Sequence, residues 1–117
     1  MGHLEQGVEQ VDPEEAKELV EGGAVLLDVR EDDEWSAGHP PAAIHLPMGR
    51  VMNEHAGVLP RDNRVIAVCR TGGRSQRVAV ALRQAGYDVV NLAGGVRAWV
   101  EAGHDLVAND GAPGNVA

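Results

Sequence analysis

The chain is short of cysteine, aromatic residues and lysine, and the first two shortages already narrow what it can be. It holds one cysteine, Cys69, in 117 residues. An internal disulfide is therefore impossible, and a secreted disulfide-stapled scaffold is excluded. Phenylalanine is absent, leaving Trp35, Trp99 and Tyr87 as the aromatics. The core must then be built from Val, Leu, Ile and Ala, a composition that suits buried parallel strands with helices on both faces. Apolar residues still make up 44% of the chain, which is enough for one packed core and argues against global disorder. No run approaches the roughly 18 apolar residues that span a bilayer. The opening MGHLEQGVEQ has no basic-then-apolar signal pattern, so a soluble, cytoplasmic protein with no membrane partner is expected.

Charge is present but unevenly spread. Residues 1–34 hold twelve acids and two bases, whereas residues 61–83 hold six arginines and one acid, Asp62. The acidic start suits a solvated helix face or a docking surface. The arginine-rich middle suits an anion. A formal net charge of −8 argues against a nucleic-acid partner, which needs a basic surface.

Along the chain, strand-like and helix-like segments alternate. Val8–Val11 is a short strand. Asp12-Pro13-Glu14-Glu15 opens a helix, with Asp12 as cap, Pro13 in the first turn and Glu15 closing a capping box. The apolar run 24–29 is a strand, and 31–37 is a short helix stopped by Gly38. Residues 43–46 form a short strand, 48–55 a helix, and 65–68 a second strongly apolar strand that delivers Cys69 at its end. A helix over 75–85, a strand over 89–92 and a helix through Ala102 complete the pattern. This βαβα order predicts a single α/β domain over 1–108, with an open, mostly parallel sheet and helices on both faces. Asn109 to Asn115 is rich in Gly, Pro and Asn and predicts a flexible C-terminal tail over 109–117.

The chemistry concentrates in Cys69-Arg70-Thr71-Gly72-Gly73-Arg74-Ser75. A strand ends at the cysteine, a glycine loop follows and a helix begins. Glycines let several backbone N–H groups converge on one point, and the helix start adds its own unpaired N–H groups. Arg70 and Arg74 add full positive charges. All of these favour thiolate over thiol and predict a lowered pKa for Cys69. A thiolate in such a cradle is a nucleophile for an anionic substrate such as thiosulfate, through a covalent intermediate. No metal or organic cofactor is required. His3, His45, His55 and His104 have no ligand spacing with one another or with Cys69.

These residues resemble the rhodanese family in three ordered stretches. The six-residue loop Cys69 to Arg74 is similar to the family's active-site loop. Leu26-Leu27-Asp28-Val29-Arg30-Glu31, with Glu34-Trp35 and 38–47, is similar to its N-terminal signature. Residues 91–99 are similar to its C-terminal one. The resemblance implies a rhodanese-like sheet of about five strands. It also implies a persulfide on Cys69 and an anion cradle made by the N–H groups of Arg70 to Ser75. Arg70 directly after the cysteine is similar to the thiosulfate-using members. Two departures stand out: Ala42 where the signature has Gly, and Pro40 where it has Ile. Asp28 and Arg30 are expected as an internal ion pair, Glu34 as a partner for Arg30, His39 in a tight turn and Trp99 as a helix anchor.

The expected activity is thus transfer of sulfur from a small anionic donor to cyanide or a thiol. The alternatives are a persulfide carrier that delivers to a protein acceptor, and a cysteine phosphatase or arsenate reductase. The phosphatase loop generally sets its arginine six residues after the cysteine. Here Arg74 comes five after Cys69, and Val68 stands where such phosphatases often have His.

Overall fold

The computed structural model describes residues 3–117. The elements run β1 (His3–Glu5), β2 (Val8–Val11), α1 (Pro13–Glu21), β3 (Val25–Asp28), α2 (Asp32–Ala37) and β4 (Ile44–His45). A 3-10 turn (Met48–Arg50) leads into α3 (Val51–Val58). Then come β5 (Val65–Val68), α4 (Gly73–Gln84), β6 (Val89–Leu92) and α5 (Gly95–Glu101). Six strands form one sheet in the order β1-β2-β6-β5-β3-β4. Every pairing is parallel except β1 with β2. The α/β reading holds, with one strand more than expected. The extra strand is β1, joined to β2 through Gln6 (φ 54) and Gly7 (φ 79). A two-residue hairpin turn of this kind needs positive φ at both centres, and Gln-Gly signals it more weakly than Asn-Gly.

The central strand β5 explains the two-layer core. Val65, Ala67 and Cys69 face one side with Val78, Ala79 and Leu82 of α4 and Val51 of α3. Ile66 and Val68 face the other with Ala16 of α1 and Val96 and Trp99 of α5. The period of two along the strand thus puts the cysteine on the α4 face. α1 starts as its sequence dictates. Asp12 Oδ1 accepts from Glu15 N at 2.8 Å, and Asp12 N donates to Glu15 Oε1 at 3.1 Å. That reciprocal cap stabilises the helix by about 1 kcal/mol.

The turn before β4 contains the chain's departure from its signature. Ala43 N donates to Pro40 O at 3.2 Å, so Pro41 and Ala42 are the two central residues. Ala42 has φ 66. The third position of such a turn wants positive φ and hence glycine. An alanine there costs about 1 kcal/mol. Pro41, fixed near the φ the second position requires, offsets part of it.

Residues 109–117, which the sequence marks as a loose tail, are laid back on the domain. His39 and Val107 exchange backbone hydrogen bonds at 3.0 and 2.9 Å. Gly114 N donates to Leu106 O at 3.0 Å, and Asn115 N to Ala37 O at 2.9 Å. Gly114 of this segment and Gly38 of the domain serve close approach. A Cβ on Gly38 would sit 2.6 Å from Asn115 N, and one on Gly114 would sit 2.6 Å from Gly38 Cα. Val116 packs against the Trp99 side of the core.

No helix among the described residues is long and apolar enough to cross a membrane. No group of three or more His, Cys, Asp or Glu among them is placed to hold a metal ion.

Candidate active site

Cys69 leaves β5 at the carboxyl edge of the sheet, the edge where open α/β sheets place ligands. The chain then turns through Arg70, Thr71 and Gly72 into α4. Gly72 has φ 109, which strains any other residue, and a Cβ there would also press on Gly94 N at 3.3 Å. Gly73 opens the helix, two residues earlier than the sequence suggests.

The Cys69 side chain is fully enclosed. Gly72 N donates to its Sγ at 3.0 Å, and Ser75 Oγ lies 3.3 Å away. Burial pushes the thiol up. The Ser75 hydroxyl and the N–H groups of Ser75, Gly72 and Thr71 outweigh that effect, so the thiol falls below its ordinary value. The lowered pKa is as expected; these hydrogen bonds are its main source, and Arg74 also interacts with the Cys69 charge. Arg70 Nε donates to Ala117 O at 2.8 Å. Arg74 turns its fork to Glu34, at 2.7 and 2.9 Å.

The Glu34–Arg74 pair corrects the expectation that Glu34 serves Arg30. Glu34 is fixed as the third residue of α2, where its Oε1 also accepts from Glu31 N at 3.0 Å. Its carboxyl is held down to about 2, chiefly by the Arg74 hydrogen bond, against the effect of burial. Arg30 has other partners. Its Nε and Nη2 donate to both oxygens of Asp28 at 2.8–3.1 Å, and Nη2 donates to Gly38 O at 2.7 Å. Both side chains of that pair are fully buried. His45 Nε2 donates to Arg30 O at 2.7 Å, and His39 Nδ1 donates to Trp35 O at 3.0 Å. Trp35 lies flat between the two histidines, with ring centroids 3.5 and 4.7 Å away. The N-terminal signature residues therefore build a rigid wall beside the loop.

Behind the loop is a polar network that the sequence reading did not single out. Ser75 Oγ lies 2.6 Å from Asn91 Oδ1, and Asn91 Nδ2 lies 2.9 Å from Gln10 Oε1. A signal existed: Asn91 is the one polar residue in the apolar strand 89–92, and a buried polar group needs partners. A cleft of about 570 Å³ opens beside the same loop, lined by Gln6, Gln10, Gln76, Arg77 and the Thr71–Gly73 backbone.

The family model for the rhodanese-like domain matches residues 12–102. The chain belongs to the rhodanese family. It is 38% identical over 110 residues to the Protein HIGH ARSENIC CONTENT 1, mitochondrial, of Arabidopsis thaliana, covering 84% of this chain and 65% of that protein. It is 38% identical over 88 residues to a protein named Sulfurtransferase from Allochromatium vinosum, covering 74% of this chain and 81% of that one. The rhodanese fold recurs in the crystal structure of a thiosulfate sulfurtransferase from Pseudomonas aeruginosa. That match has a TM-score of 0.78 and 27% identity, and it covers 92% of this chain and 22% of that chain. Within this rhodanese frame the helix after β6 holds the loop from the far side. Val96 N donates to Cys69 O at 2.8 Å, and Arg97 N to Arg70 O at 3.1 Å.

Proposed function

We propose that the protein moves a sulfane sulfur from thiosulfate to a thiophilic acceptor through a persulfide on Cys69. The observation that carries this reading is the enclosed Sγ, facing the Gly72 N–H and the Ser75 hydroxyl with its thiol lowered. The Cys69 thiolate attacks the outer sulfur of thiosulfate. A new S–S bond forms, the old S–S bond breaks, and sulfite leaves with its electron pair. The product, Cys69–S–S⁻, carries its charge on the outer sulfur. Thr71, Gly72, Gly73 and Ser75 supply the N–H cradle for that charge, and Arg70 and Arg74 raise the local potential for the incoming dianion. Cyanide or a thiol then attacks the outer sulfur, and Sγ departs as thiolate. The protein supplies position and electrostatics alone; no cofactor enters the steps.

A thiol on a peptide or protein is a second class of acceptor besides cyanide. The lone thiol must stay reduced, which suits a reducing compartment such as the cytoplasm. Phosphoryl transfer fits less well. Arg74 comes five residues after Cys69, one short of the spacing that phosphatase loops generally use, so the cradle is tighter than a phosphoryl group needs. Arsenate enters the test as a competing substrate because an arsenate reductase is an alternative reading of the loop.

Initial rates measured over a grid of thiosulfate and cyanide concentrations test the reading. Two half-reactions predict parallel double-reciprocal lines, with arsenate reduction absent. Intersecting lines would mean that both substrates bind before any sulfur moves. Arsenate turnover without sulfur transfer would replace the proposal with the reductase.

A further inference from the structure

The network behind the loop has a direction. The backbone oxygen of Glu5 can only accept, and Gln76 Nε2 donates to it at 2.7 Å. That fixes the Gln76 amide, whose Oε1 accepts from Gln10 Nε2 at 2.6 Å. Gln10 in turn presents Oε1 to Asn91 Nδ2 at 2.9 Å. Asn91 Nδ2 also donates to Gly72 O at 3.2 Å. Reversing the Asn91 amide would set its oxygen against two acceptors, so Oδ1 must face Ser75 Oγ, 2.6 Å away. Ser75 has one proton and three acceptors within reach, Asn91 Oδ1 at 2.6 Å and Cys69 Sγ and Gly72 O at 3.3 Å each; Asn91 and the sulfur are the two whose claims change with the state of the thiol.

We propose that Asn91 is a positioning residue that shares the Ser75 proton with Cys69. When Sγ is neutral, as it is in the persulfide, the Ser75 hydroxyl donates to Asn91. When Sγ is a thiolate, before loading and after discharge, the hydroxyl turns to the sulfur and Asn91 Oδ1 loses its donor. Asn91 therefore sets the cost of the thiolate through Ser75. The charged groups near Cys69 are Arg74 of α4, Glu34 of α2 bound to it, and Arg70 in the loop; Asn91 itself does not titrate. Only the discharge half of the inference rests on the proposed function, because alkylation of the thiol needs no sulfur donor.

The test is the pH profile of Cys69 alkylation by iodoacetamide in Asn91→Leu, Ser75→Ala and the double variant. Freeing Ser75 from Asn91 lowers the thiol pKa by about half a unit to one unit, the scale of one hydrogen bond. In the Ser75→Ala background the same substitution gives no shift. A rise in Asn91→Leu, or an equal shift in both backgrounds, overturns the proposal. If Asn91→Leu does not fold, Asn91→Asp takes its place. A carboxylate holds the Ser75 proton more tightly, so the pKa rises more with Ser75 present than without it. Equal rises in both backgrounds again overturn it. Cyanide discharge of the preloaded persulfide, followed in the same variants, should slow in Asn91→Asp. Failure to load at all would count against the proposed function and leave the alkylation result standing.

Discussion

Arg30→Met lowers the stability of the fold by about 3–5 kcal/mol, because the Arg30 side chain is fully buried against Asp28. Its guanidinium supplies the side-chain donors of the buried Asp28 carboxylate, which otherwise keeps the Arg30 backbone N at 3.1 Å. The substitution leaves a charge in the core without its counter-ion, and such a charge costs far more than the intact pair contributes. It also frees the Gly38 carbonyl, which receives Arg30 Nη2 where the C-terminal segment crosses. Adding Asp28→Asn should recover most of the loss, because a neutral amide no longer needs a cation. Urea denaturation midpoints of the unsubstituted protein, the single variant and the double variant decide it. A loss under about 1 kcal/mol in the single variant would mean that Asp28 finds water or another donor.

Gly95→Ala is expected to damage both stability and chemistry. Gly95 has φ 60, and a Cβ there would fall 2.3 Å from Cys69 O and 2.6 Å from Arg70 C and O. These are backbone atoms of the active-site loop and cannot swing aside as a side chain would. The left-handed alanine costs about 1 kcal/mol, and the forced displacement adds about 1–3 kcal/mol. The displaced atoms include the two carbonyls that Val96 N and Arg97 N hold in place. Alkylation and sulfur loading should therefore fall more than tenfold even where the variant is folded. Gly49→Ala is the control, since no atom lies within 4 Å of its Cβ position and its φ is not positive. Similar behaviour of the two variants would show that the α5 contact does not hold the loop.

Much of this arrangement was legible in the residues. Asp12 and Glu15 announce the α1 cap, the 65–68 run announces the central strand, and Cys69 followed by Gly72-Gly73 announces a cradle at a strand end. The fold class followed from their alternation. What stayed hidden depends on contacts between distant segments. Glu34 sits four residues from Arg30 and forty from Arg74, and sequence proximity favours the wrong partner. The Asp28–Arg30 pair was legible; only the packed fold shows that Arg30 also turns to Gly38 O and that Glu34 is taken by Arg74. The N–H cradle and the arginines beside Cys69 were both legible; that Arg74 turns its fork to Glu34 and Arg70 turns to Ala117 was not. The Gly-rich C-terminal segment looks mobile by composition, yet Gly114 within it is where two backbones touch. Ala42 was legible as a departure, and the structure gives it a meaning: an alanine held at positive φ.

The central claim is that Cys69 carries the transferred sulfur. Its most direct test is the intact mass of the reduced protein after incubation with excess thiosulfate, with Cys69→Ser alongside. The account predicts a gain of one sulfur atom, about 32 Da, that is removed by cyanide and absent from Cys69→Ser. An unchanged mass in the folded, reduced protein, or an equal gain in Cys69→Ser, would contradict it.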